Sequence, residues 1–270
     1  MVETIRIITK FKSQFKGKSR MNYILETKTP CQYAIKNKPC KYCNFWNQKS
    51  KNKKTLKSEI KTFKENEIGL LSGGSFLDEK QYSKKNIKKI LTLINKTPAE
   101  KVIVESRPEY ITKKRISEIK KIIPNKKLEI AIGLETTNDN LRAKLNKGFT
   151  KEQVIKAIKI ICETKATPKF YLLYNLNKTF NKSVIKSIKE ILTIEKELNC
   201  KINIGLETLF KSKIDLKEFV KILRIAKKLD LNISVALCSE NFGIHPLQKY
   251  KKQIMEFNKT QNIRLLEELK

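Results

Sequence analysis

Three cysteines, Cys31, Cys40 and Cys43, lie close together near the N-terminus, directly after an apolar segment, and no fourth cysteine follows nearby. Cysteine thiolates hold iron-sulfur clusters, and four of them complete the protein ligands of a 4Fe-4S cluster. Three thiolates leave one iron open to a small molecule, which distinguishes a catalytic cluster from an electron carrier. The spacing therefore predicts a catalytic 4Fe-4S cluster at these three residues.

Zinc binding and plain structural packing are the alternatives for these cysteines. A structural zinc ion takes four Cys or His ligands, and the single histidine, His245, is far away in the sequence. Disulfides are not expected, because nothing at the N-terminus resembles a signal peptide and the protein is not a small secreted scaffold. Cys162, Cys200 and Cys238 lie in or beside apolar segments, so we expect structural packing, with Cys238 the best further candidate for a functional thiol.

The chain is strongly basic. Its 59 Lys and Arg residues oppose 27 Asp and Glu residues, giving a formal net charge of +32, and residues 1–64 hold 17 basic against 3 acidic side chains. This charge favours a polyanion partner, with Lys-rich genome composition or a solvated charged face as the alternatives. We expect contacts to RNA phosphates from lysines on both sides of the cysteines: Lys10, Lys12, Lys16, Lys18, Lys51, Lys53 and Lys54.

Short apolar runs alternate with amphipathic segments of helical period, which is typical of repeated β-α units. The predicted strands are 23–27, 68–72, 102–105, 128–134, 170–173 and 202–206, with 233–237 as a candidate seventh. Sequential β-α units with right-handed crossovers give either a complete or partial barrel or a doubly wound sheet.

The length of 270 residues and the hydrophobic content of 40% fit one large domain with its own core. We divide the protein into a basic N-terminal extension at 1–22, a barrel at 23–237 and a helical C-terminal tail at 238–270. No apolar run is long enough to cross a membrane, so we expect no membrane association and a cytoplasmic location.

Unusual residues follow the predicted strands. Gly73, Gly74 and Ser75 come after the second strand, Glu105 ends the third and Glu135 ends the fourth. Ligands of parallel α/β folds bind at the carboxyl ends of the strands. Glycines there permit close approach of the backbone, and carboxylates can bind an amine or ribose hydroxyls.

Together these features resemble the radical S-adenosylmethionine (SAM) enzymes, in which three cysteines hold a 4Fe-4S cluster and SAM binds the fourth iron. Tyr42 matches an aromatic residue that often precedes the third cysteine of those motifs. The resemblance implies that SAM is held by Tyr42, Gly73, Gly74, Ser75, Glu105, Glu135 and Lys147, with Lys147 reaching its carboxylate.

Segments 71–79, 104–109, 131–136 and 146–149 are similar to those of the radical SAM subunit of archaeosine synthase, a family related to the Elongator catalytic subunit. This resemblance implies a partial (β/α)6 TIM-type barrel of parallel strands and a lyase that draws electrons from an external donor. The implied substrate is tRNA whose 7-cyano-7-deazaguanine base carries lysine added by a partner synthase. Cleavage of the C–N bond in the lysine side chain would then form archaeosine.

Two other functions stay open at this point. Another radical SAM reaction on RNA, such as methylthiolation, usually requires further cysteines for a second cluster and a separate RNA-binding domain. A non-catalytic RNA-binding protein with a structural Fe-S cluster would bind no SAM and would not require Glu105, Glu135 and Lys147.

Overall fold

One curved eight-stranded sheet organises the molecule. The computed structural model describes residues 4–43, 45–50, 54–208, 214–236 and 247–267. Neighbouring strands of the sheet follow one another in sequence. In order they are β1 (Ile7–Phe15), β2 (Lys18–Leu25), β3 (Glu67–Ser72), β4 (Lys101–Glu105), β5 (Lys127–Glu135), β6 (Thr167–Tyr174), β7 (Asn203–Thr208) and β8 (Asn232–Val235).

The strands β2 to β8 are all parallel, and β1 pairs with β2 in an antiparallel hairpin. A doubly wound sheet reverses its strand order, whereas a barrel adds each strand beside the previous one. The sequential order therefore confirms the partial barrel of parallel strands, and β8 supplies the seventh strand expected near 233–237.

Helices connect the parallel strands and cover the outside of the sheet. Several begin at a residue that caps the first turn: Thr150, for example, forms a reciprocal capping box with Gln153 at the start of α6. The helices are α1 (Gln32–Asn37), α2 (Leu56–Ile60), α3 (Lys84–Asn95), α4 (Lys113–Ile122), α5 (Asp139–Lys144), α6 (Lys151–Glu163), α7 (Lys178–Glu197), α8 (Leu216–Lys228), α9 (Lys251–Thr260) and α10 (Arg264–Glu267). Within the described residues, no helix is both long and apolar enough to span a bilayer.

Alternation along each strand separates the outer core from the interior of the barrel. In β6, Phe170, Leu172 and Tyr174 pack into the hydrophobic core beneath the helices. The intervening Lys169 and Tyr171 line a cavity inside the barrel. Because successive side chains of a strand point to opposite faces, the barrel interior can be polar while its outer layer stays apolar.

The N-terminal segment is part of the sheet. The boundary that we placed after residue 22 lies inside β2, and residues 7–15 form β1 rather than a separate extension. Buried Ile7, Thr9 and Phe15 alternate with more exposed side chains along β1. This period of two is what a half-buried strand requires, and the many lysines of the segment occupy its outer positions.

Helix α9 lies across the gap between the two edge strands, β1 and β8. The side chain of Asn258 accepts a hydrogen bond from the Val235 N–H at 2.8 Å and donates one to the Val235 carbonyl at 2.9 Å. At the other edge, the N–H groups of Lys16 and Gly17 donate to carbonyls of Asn258 and Lys259. One helix in the predicted C-terminal tail is therefore attached to both edges of the sheet.

Two cysteines outside the N-terminal group form a disulfide, contrary to our expectation. Cys162 near the end of α6 is bonded to Cys200 just before β7. The prediction was wrong because it considered each residue within its own apolar segment, whereas the fold brings their Cα atoms to 6.0 Å. Cys238 and His245 lie outside the described residues.

Candidate active site

The loop carrying the three cysteines leaves the carboxyl end of β2 and crosses the open end of the barrel. Cys31, Cys40 and Cys43 all have free thiols, and all three line the cavity. The N–H of Cys31 donates to the Trp46 carbonyl, and that of Cys43 donates to the Cys40 carbonyl, so the loop folds back on itself. Burial raises the pKa of Cys43, and the nearby Cys40 and Cys31 add to this effect.

Asn146 fixes this loop to the segment between α5 and α6. Its side-chain amide donates to the carbonyls of Asn37, Lys38 and Pro39 at 3.1–3.2 Å, and its amide oxygen accepts from the Tyr33 hydroxyl at 3.2 Å. Asn146 has a φ of 54°, a left-handed conformation that asparagine tolerates better than most residues. The position of the cysteines therefore depends on a residue far from them in sequence.

Arg107 provides a second connection between these segments. Its guanidinium lies 3.9 Å from the centre of the Tyr33 ring and donates to the Lys147 carbonyl at 2.7 Å. The residue is only 9% exposed, so this stacking is largely shielded from solvent and is stronger than at a surface. Two strand-end segments thereby hold the cysteine loop over the cavity.

Most of the residues predicted to bind SAM line the same cavity, which has a volume of about 260 Å³. Besides the cysteines, they are Gly73, Gly74, Glu105, Glu135 and Lys147. A Cβ on Gly73 would overlap the Phe45 carbonyl, so only glycine allows the end of β3 to approach the loop this closely. The carboxyl ends of three neighbouring strands therefore bring these residues to one place.

Tyr42 and Ser75 have other environments. Tyr42 is 57% exposed and does not line the cavity. Ser75 is fully buried, and its hydroxyl accepts a hydrogen bond from the Arg107 N–H at 3.0 Å. Ser75 therefore fixes the loop after β4 through its hydroxyl, whereas the ring of Tyr42 faces outward.

Glu135 and Lys147 form an ion pair of 2.8 Å beside the cysteine loop, and each side chain is 15% exposed. Burial opposes the charged form of Lys147, but the Glu135 carboxylate and the nearby Cys40 together outweigh burial and raise the lysine pKa. Glu135 has a positive φ of 63° and lies next to an irregularity in the pairing of β5 with β6. These two features change the direction of the chain at the end of β5.

Two further carboxyls inside the barrel have no such close cation among the described residues. Burial raises the pKa of Glu105 to about 7, although the Ser72 N–H and the Tyr171 hydroxyl partly offset it. Burial and the neighbouring Glu135 and Glu105 raise the pKa of Glu207 to about 8. Near neutral pH, the interior therefore favours a bound cation over two free carboxylates.

The amino end of the barrel is closed by charged and polar residues, which we call the floor network: Arg20, Glu67, Lys101, Glu129, Lys169 and Asn203. Arg20 donates to Glu67 at 2.6 Å, and Lys101 lies 2.8 Å from the same carboxylate. Glu129 is 1% exposed and accepts from the Asn203 amide at 2.7 Å. Such buried charges are tolerated only because they offset one another.

Among the lysines predicted to contact RNA, those that the structure describes do not lie together at the cavity mouth. Lys12 pairs with Glu65 at 2.9 Å, Lys18 pairs with Glu100 at 3.0 Å, and Lys10 pairs with Glu59. Lys16 and Lys18 flank the hairpin turn, which lies at the floor end because neighbouring Ser19 contacts Asn66 just before β3. Lys54 is exposed near the start of β1, and Lys51 and Lys53 lie outside the described residues.

Sequence reasoning missed the positioning residues Asn146, Arg107 and Tyr33 and the cavity residues Lys169, Tyr171 and Glu207. The strand-end position of Glu207 was a usable signal, because it lies at the end of β7 as Glu105 lies at the end of β4. No comparable signal identified Lys169, because a lysine inside a strand usually indicates a solvent-facing position.

The arrangement fits an Fe-S cluster better than a zinc ion. Among the described residues, no group of three Cys, His, Asp or Glu residues is gathered around a single metal position. A cubane cluster takes each cysteine on a different iron, whereas zinc requires four ligands around one centre. Three free thiols that line one cavity are therefore the donor set of a cluster in which one iron has no protein ligand.

The partial barrel and this three-thiol site define a class of cluster enzymes, and comparison with known proteins agrees. The model of the radical SAM superfamily matches residues 36–189, which is more than half of the sequence. The chain therefore belongs to the radical SAM superfamily, whose members use a 4Fe-4S cluster and SAM. The predicted membership of the radical SAM enzymes and the predicted cofactors are thereby confirmed.

Particular relatives match shorter stretches. The sequence is 35% identical over 113 residues to archaeosine synthase subunit beta of Methanosarcina acetivorans, covering 41% of this chain and 33% of the relative. It is 34% identical over 108 residues to the subunit of the same name from Thermococcus kodakarensis, covering 39% and 33%. The chain thus spans about a third to two-fifths of the length of the curated relatives it matches.

Among solved structures, methylornithine synthase (PylB) has a similar fold. The TM-score is 0.58 at 15% sequence identity, and the similar region covers 82% of this chain and 65% of that one. At this level of identity the similarity establishes the architecture and leaves the reaction to be argued from the site.

Proposed function

We propose that the protein is the radical SAM subunit of an archaeosine-forming enzyme acting on tRNA. Its substrate would be a 7-deazaguanine base joined to lysine, and cleavage of the C–N bond in the lysine side chain would leave the formamidine of archaeosine. The observation that carries the proposal is the meeting of three free thiols with Glu105, Glu135 and Lys147 in one cavity. Similarity to two proteins named archaeosine synthase subunit beta supports the particular reaction.

In this proposal each residue has a defined task. Cys31, Cys40 and Cys43 hold the cluster, and Gly73, Gly74, Glu105, Glu135 and Lys147 hold SAM. When bound, the cluster and SAM supply radical chemistry that removes a hydrogen atom from a substrate carbon. Lys147 provides a positive charge for a carboxylate, and the strand-end carboxyls receive the cationic part of SAM. The closed floor and the loop over the cavity limit the access of water.

The tRNA and the partner synthase are also part of the proposal. The word subunit in the names of the relatives supports a partner, and the net charge of +32 supports a nucleic acid. Besides the lysines predicted above, the cysteine loop presents exposed Lys36, Lys38 and Lys41 beside the chemistry. We propose that these three contact phosphates next to the modified base.

The test begins with anaerobic reconstitution with iron and sulfide, followed by a reductant, SAM and lysine-adducted tRNA. We expect 5'-deoxyadenosine and archaeosine by mass spectrometry, with both products lost in Cys40→Ala. Lys147→Met should lose SAM binding, whereas the matched control Lys144→Met, at an exposed position of the preceding helix, should retain it.

Three outcomes would separate the alternatives. 5'-Deoxyadenosine without archaeosine, even with the partner synthase present, would favour another radical SAM reaction on RNA. A cluster-loaded protein that binds tRNA but neither binds nor cleaves SAM would favour the non-catalytic Fe-S protein. Full activity in Cys40→Ala would contradict the proposed ligand set.

A further inference from the structure

The inner wall formed by β6 and β7 carries residues that the cluster and SAM do not use. Lys169 and Tyr171 project from β6 into the cavity, and Glu207 projects from β7. In the pairing of β6 with β7, Tyr171 lies opposite Gly205. A Cβ on Gly205 would lie 2.7 Å from the Tyr171 ring and 3.3 Å from the Lys169 side chain. Glycine therefore lets both long side chains lie across β7 within the cavity.

Lys169 is a buried ammonium with unused hydrogen-bonding capacity. The residue is 5% exposed, and its Nζ lies 3.9 Å from the Glu129 carboxylate and 4.9 Å from the centre of the Tyr171 ring. Within the described ranges its ammonium makes no hydrogen bond. Burial and the nearby Arg20 lower its pKa to about 8. An ammonium has three donors, so a carboxylate entering the cavity would find a ready partner.

Glu207 is an acceptor that complements the donor Lys169. It lies two residues after Gly205, the partner of Tyr171 in β7, and is therefore nearer the mouth of the cavity. Glu135 is paired with Lys147, and Glu105 receives the Ser72 N–H, whereas the described part of the protein offers the Glu207 carboxyl neither a hydrogen bond nor an ion pair. It faces the carboxyls of Glu105 and Glu135, which disfavour its charged form. An incoming ammonium would relieve this repulsion.

We propose that Lys169 and Glu207 bind the zwitterionic amino-acid end of the substrate. Lys169 receives the α-carboxylate at the inner end of the cavity, and Glu207 receives the α-ammonium nearer the mouth, with Tyr171 between them. The side chain of the bound amino acid then extends towards the cysteines, where its carbon atoms can react. This assignment deepens the proposed function and rests on it, since it places the lysine end of the adduct inside the barrel.

The experiment uses the reconstituted protein with SAM and measures binding by anaerobic calorimetry. The probe is Nε-acetyl-L-lysine, whose capped side-chain nitrogen represents the attached end of the adduct. N-Acetylcadaverine lacks its carboxylate, and 6-acetamidohexanoate lacks its α-ammonium. We expect each truncated probe to bind at least tenfold more weakly to the unaltered protein, a comparison that requires no variant to fold.

Two variants then assign the charges. Glu207→Gln should weaken the binding of Nε-acetyl-L-lysine and N-acetylcadaverine at least tenfold and leave the binding of 6-acetamidohexanoate unchanged. Lys169→Met should leave only the binding of N-acetylcadaverine unchanged. The matched controls Glu197→Gln and Lys196→Met, at exposed positions on α7, should bind all probes as before. Cluster content and SAM affinity, measured in the same samples, report whether the variants keep the site intact.

The results separate this inference from the proposed function. If Nε-acetyl-L-lysine fails to bind, or binds equally well to the two variants and their controls, the inference is overturned. If the charge pattern holds but lysine-adducted tRNA is not converted, the site stands and the proposed reaction fails. If adducted tRNA is converted with unchanged KM in both variants, the reaction stands and the assignment of Lys169 and Glu207 fails.

Discussion

Replacing Glu129 with glutamine should reveal how strongly the floor network stabilises the barrel. Glu129 lies within 4.0 Å of Arg20, 3.6 Å of Lys101 and 3.9 Å of Lys169. Glutamine can still accept the hydrogen bond from Asn203, so the substitution mainly removes charge. Arg20 and Lys101 would then keep only Glu67, and Lys169 would lose its ion pair with Glu129. Breaking a buried ionic contact in this way typically costs about 3–5 kcal/mol.

The assay is urea unfolding of the cluster-free protein, followed by far-UV circular dichroism at neutral pH. In a separate thermal scan, a loss of about 3–5 kcal/mol corresponds to a fall in Tm of roughly 10 °C for a protein of this size. Burial raises the pKa of Glu129, but Lys169, Arg20 and Lys101 outweigh burial and lower it. Its contribution is therefore present above the pKa of the unfolded state and is lost as pH falls through the lower folded value, so the difference from Glu129→Gln should shrink in acid.

Exposed Glu197→Gln is the matched control and should change stability by no more than about 0.5 kcal/mol. Adding Lys169→Met to Glu129→Gln should recover about 1–2 kcal/mol, because one unpaired cation is removed with the carboxylate. A loss in Glu129→Gln as small as that of the control, with no recovery in the double variant, would refute the reasoning.

Three further changes have defined outcomes. Gly73→Ala should lower cluster content severalfold, measured as bound iron, because its Cβ overlaps the cysteine loop, whereas Gly17→Ala should cost only about 1 kcal/mol of backbone strain and leave bound iron unchanged. The pKa of Glu105 is raised to about 7, so the folded cluster-free protein holds a proton that the unfolded state loses above pH 4.5. Its contribution to stability should thus fall by up to about 3 kcal/mol as pH rises from 4.5 to 7, and Glu105→Gln should remove this contribution in urea titrations. Cys162→Ser should lower stability by about 2–4 kcal/mol in thermal unfolding without reductant, and added reductant should bring the unaltered protein to the same value.

The sequence was sufficient to predict repeated parallel β-α units, because the period of apolar residues is a local property, and the resemblance to the radical SAM enzymes then favoured the partial barrel over a doubly wound sheet. It also located the cysteines and the strand-end carboxyls, since parallel strands necessarily bring their carboxyl ends to one edge. The strand at residues 7–15 has a clear period of two, but its lysines suggested a solvated extension.

Other features depend on tertiary contacts and leave little local trace. Lys169 has the sequence context of an exposed strand residue, and its buried role follows only from the carboxylate and glycine that the barrel places opposite it. Asn146 has the context of a turn residue, and its three bonds to the cysteine loop join segments more than a hundred residues apart. The pairing of Cys162 with Cys200 likewise depends on two helix-to-strand connections meeting.

The attachment of α9 has a consequence for solubility. An incomplete barrel has two edge strands, and unpaired edges can recruit strands from other molecules and start aggregation. Asn258 bonds to Val235 at one edge, and Asn258 and Lys259 accept bonds from the hairpin turn at the other. A single helix therefore covers part of both edge strands. Helix α9 thus occupies the position at both edges where a strand of another molecule could otherwise pair.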